Sequence, residues 1–403
     1  MLASKLPDKF DVETLPRPKT PWDNTDRWTD WHWQLANRIG SLAELRAVLR
    51  LTPEEEAGIE LASQRFRLEI TPYFATLMDP DDPACPIRRQ VIPTIEELAS
   101  TPSEQEDPLD EARHTPAPGL IHRYPDRVLL FPTLHCASYC RFCTRSRIVG
   151  HIEDTVHFNE LQPAFDYLLA HTEIRDVLVS GGDPLTIGDR KLEQLIARLR
   201  SIPHIEIVRF NTRVPVFLPQ RITTALTEML RQFHPIYIGI HVNHPKEITP
   251  QMAAACGKLA DAGIPLGGQT VLLRGINDDP QIMKKLMHEL LRIRVRPYYL
   301  NQGDLVAGTS HFRAPIATGI SIIEQLRGHT TGYAVPTYVV DTPRGGGKIP
   351  VGPTYLMSYD NGRAVMRNFR GDFYEYTDEE ASPSNSAQCD DNGAHPGGYR
   401  RGA

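Results

Sequence analysis

Leu134-His135-Cys136-Ala137-Ser138-Tyr139-Cys140-Arg141-Phe142-Cys143 is the stretch on which the reading of the chain turns. Three of the six cysteines fall inside it, spaced C-x3-C-x2-C. Three thiols so close along the chain cannot all pair with one another as disulfides. The spacing suits a loop folded round a compact inorganic group, and ligation by cysteine alone points to iron and sulfur. A zinc knuckle is the competing reading, but structural zinc takes four protein ligands, and the nearest candidate for a fourth is His135. Three ligands on a four-iron cluster leave one iron open to a small molecule.

The rest of the composition bounds the class. The 403 residues are 40% hydrophobic and 23% charged, as in a soluble globular protein with ample core. The net charge of −6 offers no broad basic field for nucleic acid. No apolar run approaches the ~20 residues of a membrane helix, and the first residues lack the apolar core of a signal peptide. Six cysteines, half of them clustered, are no disulfide framework. Thiolates that hold a reducible cluster need a reducing compartment, so a cytoplasmic location is expected.

From Arg127 onward, short β-branched runs alternate with amphipathic segments of helix length. Strands are expected at 127–134, 176–180, 204–210, 236–242, 266–273 and 296–301, with helices at 158–170, 190–201, 219–232, 249–262, 280–293 and 315–327. Such alternation makes a parallel sheet with right-handed crossovers. Six units are too few for a closed eight-fold barrel, so the fold class is α/β, a partial (β/α)6 barrel with its site at the C-terminal strand ends. Polar and glycine residues gather there: the cysteine loop, Ser180-Gly181-Gly182-Asp183, Asn211 to Arg213, His241 to His244, Gln269, and Asn301 to Asp304.

The flanks complete an expected division into five parts: a polar arm (1–25), a helical region (26–115), the barrel (116–330), a strand and hairpin segment (331–376) and a disordered tail (377–403). One helix is expected over Trp28 to Leu51, and a second opens with Thr52 as N-cap and Pro53 behind it. The hairpin turns at Asp360-Asn361-Gly362. Beside it, Gly345-Gly346-Gly347-Lys348 lacks the spacing of a phosphate-binding P-loop. A sheltered lysine can form a Schiff base with pyridoxal 5′-phosphate (PLP), and a solvent lysine in a glycine loop is the plainer alternative.

The cysteine stretch, with Tyr139 before its middle cysteine, resembles the radical S-adenosylmethionine (SAM) superfamily, and Ser180 to Pro184 resembles that superfamily's glycine-rich turn. Longer blocks resemble the lysine 2,3-aminomutase family, radical SAM enzymes that also carry PLP. They include GLIHRYPDRVLL (119–130), SGGDPL (180–185), GGQTVLLRGIND (267–278), RVRPYYL (294–300), LRGHTTGYAVPTYVVD (326–341) and GGGKIPV (345–351).

The resemblance implies a radical SAM barrel with a C-terminal PLP-binding extension, and roles for particular residues. Cys136, Cys140 and Cys143 hold a 4Fe–4S cluster, and Lys348 binds PLP. Arg123 and Arg127 lie near the PLP phosphate. Ser180, Gly181, Gly182, Asp183, His241 and Gln269 lie near SAM. Arg145 pairs with the substrate carboxylate through its planar fork, and Asp304 and Asp341 grip the substrate's distal cation. The reaction implied is transfer of an amino group from Cα to Cβ of a basic amino acid.

Two carboxylates in one pocket are costly without a cation, which favours a basic side chain. L-Lysine is the first choice. L-Arginine is the runner-up, because Asn301 stands where lysine-acting members carry Tyr, and Arg344 replaces the first of four glycines. An electron donor such as flavodoxin or ferredoxin and a homo-oligomer are implied as partners, with no nucleic acid and no membrane. Members that hold structural zinc use a cysteine where this chain has Asp279, together with a C-terminal cysteine cluster. This tail has only Cys389, so no zinc is expected. Two further readings stay open, a non-catalytic iron–sulfur protein and a PLP-free radical SAM enzyme.

Overall fold

The structure is a computed structural model that describes residues 21–22, 25–150 and 158–378. Nearly all of the expected arm and tail therefore lies outside the described residues. The chain forms two compact units, one ending at Pro353 and the other starting at Thr354.

Short helices open the first unit: α1 (Trp31–Ala36), α2 (Leu42–Arg46), α3 (Pro53–Ala62) and α4 (Pro72–Ala75). The single helix expected over Trp28 to Leu51 is in fact α1 and α2, with a break between them. Ile39, almost fully buried, exchanges both backbone hydrogen bonds with Ile70, at 2.8 and 3.0 Å. That bridge takes the chain out of helical torsions, and Ser41 then caps α2 by accepting from Glu44 N–H. Thr52 and Glu55 form a capping box on α3, with Pro53 in its first turn.

The core of the unit is a nine-stranded sheet in sequential order. Its strands are β1 (Leu120–Tyr124), β2 (Arg127–Thr133), β3 (Asp176–Gly181), β4 (Ile207–Thr212), β5 (Ile236–His241), β6 (Leu266–Leu272), β7 (Arg296–Gln302), β8 (Thr337–Thr342) and β9 (Gly347–Pro350). Neighbours from β2 to β8 pair in parallel, while β1 and β9 pair antiparallel at the two ends. The crossovers carry α5 (Gln162–Ala170), α6 (Asp189–Arg200), the short α7 (Val214–Phe217) with α8 (Thr224–Arg231), α9 (Pro250–Asp261), α10 (Pro280–Arg292) and α11 (Ile316–Leu326). Six strand–helix units are present, as the alternation predicts, and β8 adds a seventh parallel strand where the sequence reads only as extended. Asp279 caps α10, accepting from Gln281 and Ile282 N–H.

Strand alternation sorts the side chains. In β4, Val208, Phe210 and Thr212 are buried, while Ile207, Arg209 and Asn211 face the inside of the curl. Leu192, Leu195, Ile196 and Leu199 of α6 and Leu226 and Leu230 of α8 join the core cluster with the buried faces of the strands. Among the described residues the sheet ends are not backbone-paired with one another. Side chains bridge them instead: Tyr124 Oη accepts from Lys348 N–H at 2.9 Å, and Arg123 Nη2 donates to Asp341 Oδ1 at 3.4 Å.

The second unit holds a three-stranded antiparallel sheet, β10 (Leu356–Asp360), β11 (Arg363–Arg367) and β12 (Phe373–Thr377). The hairpin expected over 351–376 thus gains a third strand. Its first turn is at Asn361 and Gly362, both at positive φ, as the sequence indicates. The second turn is set by Asn368, whose side chain accepts from Arg370 and Asp372 N–H. No helix among the described residues is long and apolar enough to cross a membrane.

Candidate active site

A cavity of ≈ 730 Å³ fills the inside of the curled sheet. Every residue to which the resemblance gives a role lines it: the three cysteines, Arg123, Arg127, Arg145, Ser180 to Asp183, His241, Gln269, Asp304, Asp341 and Lys348. The thiols and the lysine amine therefore share one opening.

The cysteine loop follows β2 and is clamped from behind by the N-terminal helical region. Arg38 donates to Cys136 O at 2.9 Å, and Tyr139 N–H donates to Glu69 O at 3.1 Å. Arg141 N–H donates to Gln90 O at 2.9 Å, and the buried Arg141 guanidinium forks onto Glu97 (Nε–Oε1 2.9 Å) and onto Phe66 O and Arg67 O. On its other side the loop meets the turn after β3, where Gly182 and Asp183 N–H donate to Thr133 O and His135 O at 2.8 and 2.7 Å. A Cβ on Gly182 would sit 2.3 Å from His135 O, so only glycine permits this approach. Asp183 ties that turn to β4, accepting from Thr212 Oγ1 at 2.6 Å and Arg213 N–H at 2.7 Å.

Burial pushes all three thiols up, Cys143 to about 12; Asp183 and the other two thiols add to it around Cys136 and Cys140 adds to it beside Cys143, while Arg213 opposes the rise at Cys140. Bare thiolates are disfavoured in such a wall, and a bound group carrying positive charge fits this donor set. No three His, Cys, Asp or Glu side chains among the described residues converge on a single metal ion. His241 closes this wall. Burial holds its imidazole down at about 3, with Arg213 adding to the effect, so the ring is neutral where Nε2 meets Asn243 Oδ1 at 2.9 Å. Gln269 Nε2 reaches Asn211 Oδ1 at 3.1 Å across Gly239.

The facing wall is ionic. Lys348 Nζ donates to Asp341 Oδ2 and to Asn301 Oδ1, the latter at 3.1 Å. Asp304 accepts from Thr144 Oγ1 at 2.7 Å. Burial raises its carboxyl to about 6; Asp341 adds to the rise, while Thr144, Lys348 and Arg145 oppose it. Arg145 makes a fork onto Glu111, with Nε and Nη2 at 3.0 and 2.7 Å from Oε1. Burial would raise the Glu111 carboxyl, but Arg145 and Arg147 outweigh it and hold it below the ordinary value. Arg123 and Arg127 flank the Tyr124 ring, 5.2 and 3.9 Å from its centroid.

Three participants carry no sequence signal. Glu111 sits in an irregular segment before β1, Thr144 follows the last cysteine, and Tyr124 belongs to a strand too short and polar to be read as one. Only the fold brings them to the cavity.

A partial βα barrel that presents such a cysteine loop at the end of its first parallel strand is the architecture of radical SAM enzymes. The profile of the Radical SAM superfamily matches residues 130–286, and that of Lysine-2,3-aminomutase matches residues 323–396. An L-lysine 2,3-aminomutase of Fusobacterium nucleatum is 51% identical over 88% of this chain and 84% of its own length. One of Clostridium subterminale is 50% identical over 90% and 87%. A glutamate 2,3-aminomutase of Clostridioides difficile is 44% identical over 88% and 84%. The chain belongs to the lysine 2,3-aminomutase family, and it is an isomerase of the aminomutase kind.

Proposed function

We propose that the protein is a PLP-dependent 2,3-aminomutase that moves the α-amino group of a basic L-amino acid to Cβ, with L-lysine as substrate. The observation that carries this reading is the pairing of Lys348 with Asp341, in one cavity with Asp304 and three partly buried thiols. When bound, the cluster and SAM supply a hydrogen-abstracting radical, and PLP supplies an aldehyde and an electron-delocalising ring.

The chain's own residues do the rest. Cys136, Cys140 and Cys143 hold the cluster, and the turn at Ser180 to Asp183 with His241 and Gln269 walls the SAM side. Arg123 and Arg127 offer two guanidiniums to a phosphate beside Tyr124. Lys348 must lose a proton before its nitrogen can act as a nucleophile, and Asp341 Oδ2 is the acceptor beside it. Once that nitrogen leaves Asp341 and the proton has passed from it to solvent, the carboxylate is free for the substrate's distal cation, with Asp304 as its second ligand. Arg145, whose Nε and Nη2 hold Glu111, has Nη1 left for the substrate carboxylate. Phe142, Leu273 and Phe312 form an apolar patch on the wall that keeps water from the reacting carbon.

Arginine is the second reading. Asn301 is a small side chain whose Nδ2 is turned to Thr270 O at 3.3 Å, and it leaves room beside Asp304 for a planar guanidinium. The reconstituted, reduced protein, kept free of oxygen with SAM and PLP, is to be offered lysine, arginine and glutamate in turn. β-Lysine is the expected product. β-Arginine alone would reverse the ranking, and β-glutamate alone would remove the basic-substrate reading. In Lys348→Ala the visible absorbance of bound PLP should shift or vanish; an unchanged band would deny that lysine its role.

A further inference from the structure

Arg213 stands at the end of β4 and reaches behind the cysteine loop. Its Nη1 donates to Cys140 Sγ at 2.8 Å. Its Nη2 donates to Gln90 Oε1 and, at 3.1 Å, to Glu247 Oε1. Glu247 is fully buried and also accepts from Gln90 Nε2 at 2.7 Å and Asn243 N–H at 2.9 Å. The guanidinium lies between the rings of Phe217 and Phe142, 4.4 and 5.5 Å from their centroids. A cation fixed on two faces and two edges cannot turn away from the sulfur.

We propose that Arg213 sets the reduction potential of the cluster through the Cys140 sulfur, and that Glu247 sets how much of the arginine's charge that sulfur feels. Hydrogen bonds to the ligating sulfurs and nearby charge are the levers by which proteins tune such clusters. One electron passes from an external reductant to the cluster and no bond is made or broken. The reduced form carries one more negative charge, so a cation on the sulfur favours it. Arg213 therefore raises the potential, and the buried carboxylate behind it moderates the rise. The proposal rests on Cys140 as a cluster ligand.

The test is a dithionite titration of the reconstituted protein, followed by the paramagnetic signal of the reduced cluster, with iron and sulfide measured on the same samples. In Arg213→Gln the ratio of reduced to oxidised cluster at the wild-type midpoint should fall roughly three- to tenfold, the scale of one ordinary hydrogen bond. In Glu247→Gln the midpoint should move the opposite way, and Arg213→Lys should stay near wild type. Opposite signs are the discriminating result, because simple loosening of the site would move both variants together. A full cluster with an unchanged midpoint in Arg213→Gln, or shifts of the same sign, overturns the proposal. SAM affinity is measured in parallel, since Arg213 Nε is buried without a protein partner. Weakened SAM binding at an unchanged potential makes Arg213 a SAM anchor and also overturns it. Should Arg213→Gln not take up a cluster, the sign in Glu247→Gln decides. A Cys140→Ala protein that retains a complete cluster would remove the underlying assignment instead.

Discussion

At the scale of single residues, Asp304 shows how the site trades stability for binding. Its carboxyl is raised from the ordinary 3.8 to about 6, chiefly by burial. A group whose folded value is raised stabilises the fold fully below its unfolded value, and that contribution is lost as pH rises through about 6. The charged carboxylate is thus a liability at neutral pH until a cation arrives. Asp304→Asn should raise the melting temperature at pH ~8 by the equivalent of roughly 2–3 kcal/mol, with the gain fading toward pH ~4. The same variant should raise KM for the basic substrate at least about tenfold, and in the wild type kcat/KM should decline as pH drops below about 6. A melting curve unchanged by the substitution at high pH would deny that the carboxylate is strained. Arg344 is a second case. It sits at φ 60° and ψ 33°, a left-handed conformation costly for a side chain with Cβ. Arg344→Gly should therefore stabilise the protein by about 1 kcal/mol in thermal melts.

At the scale of elements, the cysteine loop depends on partners that sequence spacing does not disclose. The motif itself, the glycine turn and the strand before it are legible from Cys136 to Cys143 and Ser180 to Asp183. The reason for the glycines is not. Read alone, the turn looks made for a ligand, whereas its missing Cβ atoms make room for Thr133 O and His135 O of the neighbouring loop. Gly182→Ala should push the loop outward and cut iron content after reconstitution to less than about half, measured per chain, because the contact is backbone and cannot yield. The clamp from behind is equally hidden, since Arg141 and Glu97 are far apart in sequence and meet as a buried pair. Glu97→Gln leaves Arg141 short of its counter-charge and should cost about 3–5 kcal/mol in denaturant unfolding. A loss under about 1 kcal/mol would show that the loop is held by other contacts.

At the scale of the whole molecule, the repeated strand–helix pattern was legible because buried parallel strands are continuous apolar runs with a helix between each pair. From those runs, the order of six units and the end at which the site lies both follow. The closure of the curl does not. It depends on β1 and β9, short strands rich in polar residues, and on β8, whose burial comes from packing against α11 and β7. Nor could the ionic wall be read in full, because Glu111 and Tyr124 reach the cavity only once the ends of the sheet have come round. Tyr124→Phe removes the hydroxyl that accepts from Lys348 N–H and should weaken PLP binding roughly fivefold, the worth of one hydrogen bond, in an absorbance titration.

That seam between first and last strand has a mechanical meaning. Everywhere else around the curl, parting two strands means breaking a ladder of amide-to-carbonyl bonds. Among the described residues no ladder joins β1 to β9, and the contacts across the seam include Tyr124 with Lys348, Arg123 with Asp341 and Arg344 N–H with Pro108 O. The seam is thus the place where the wall is joined by single contacts alone, and Lys348, which we propose binds the aldehyde, sits on it.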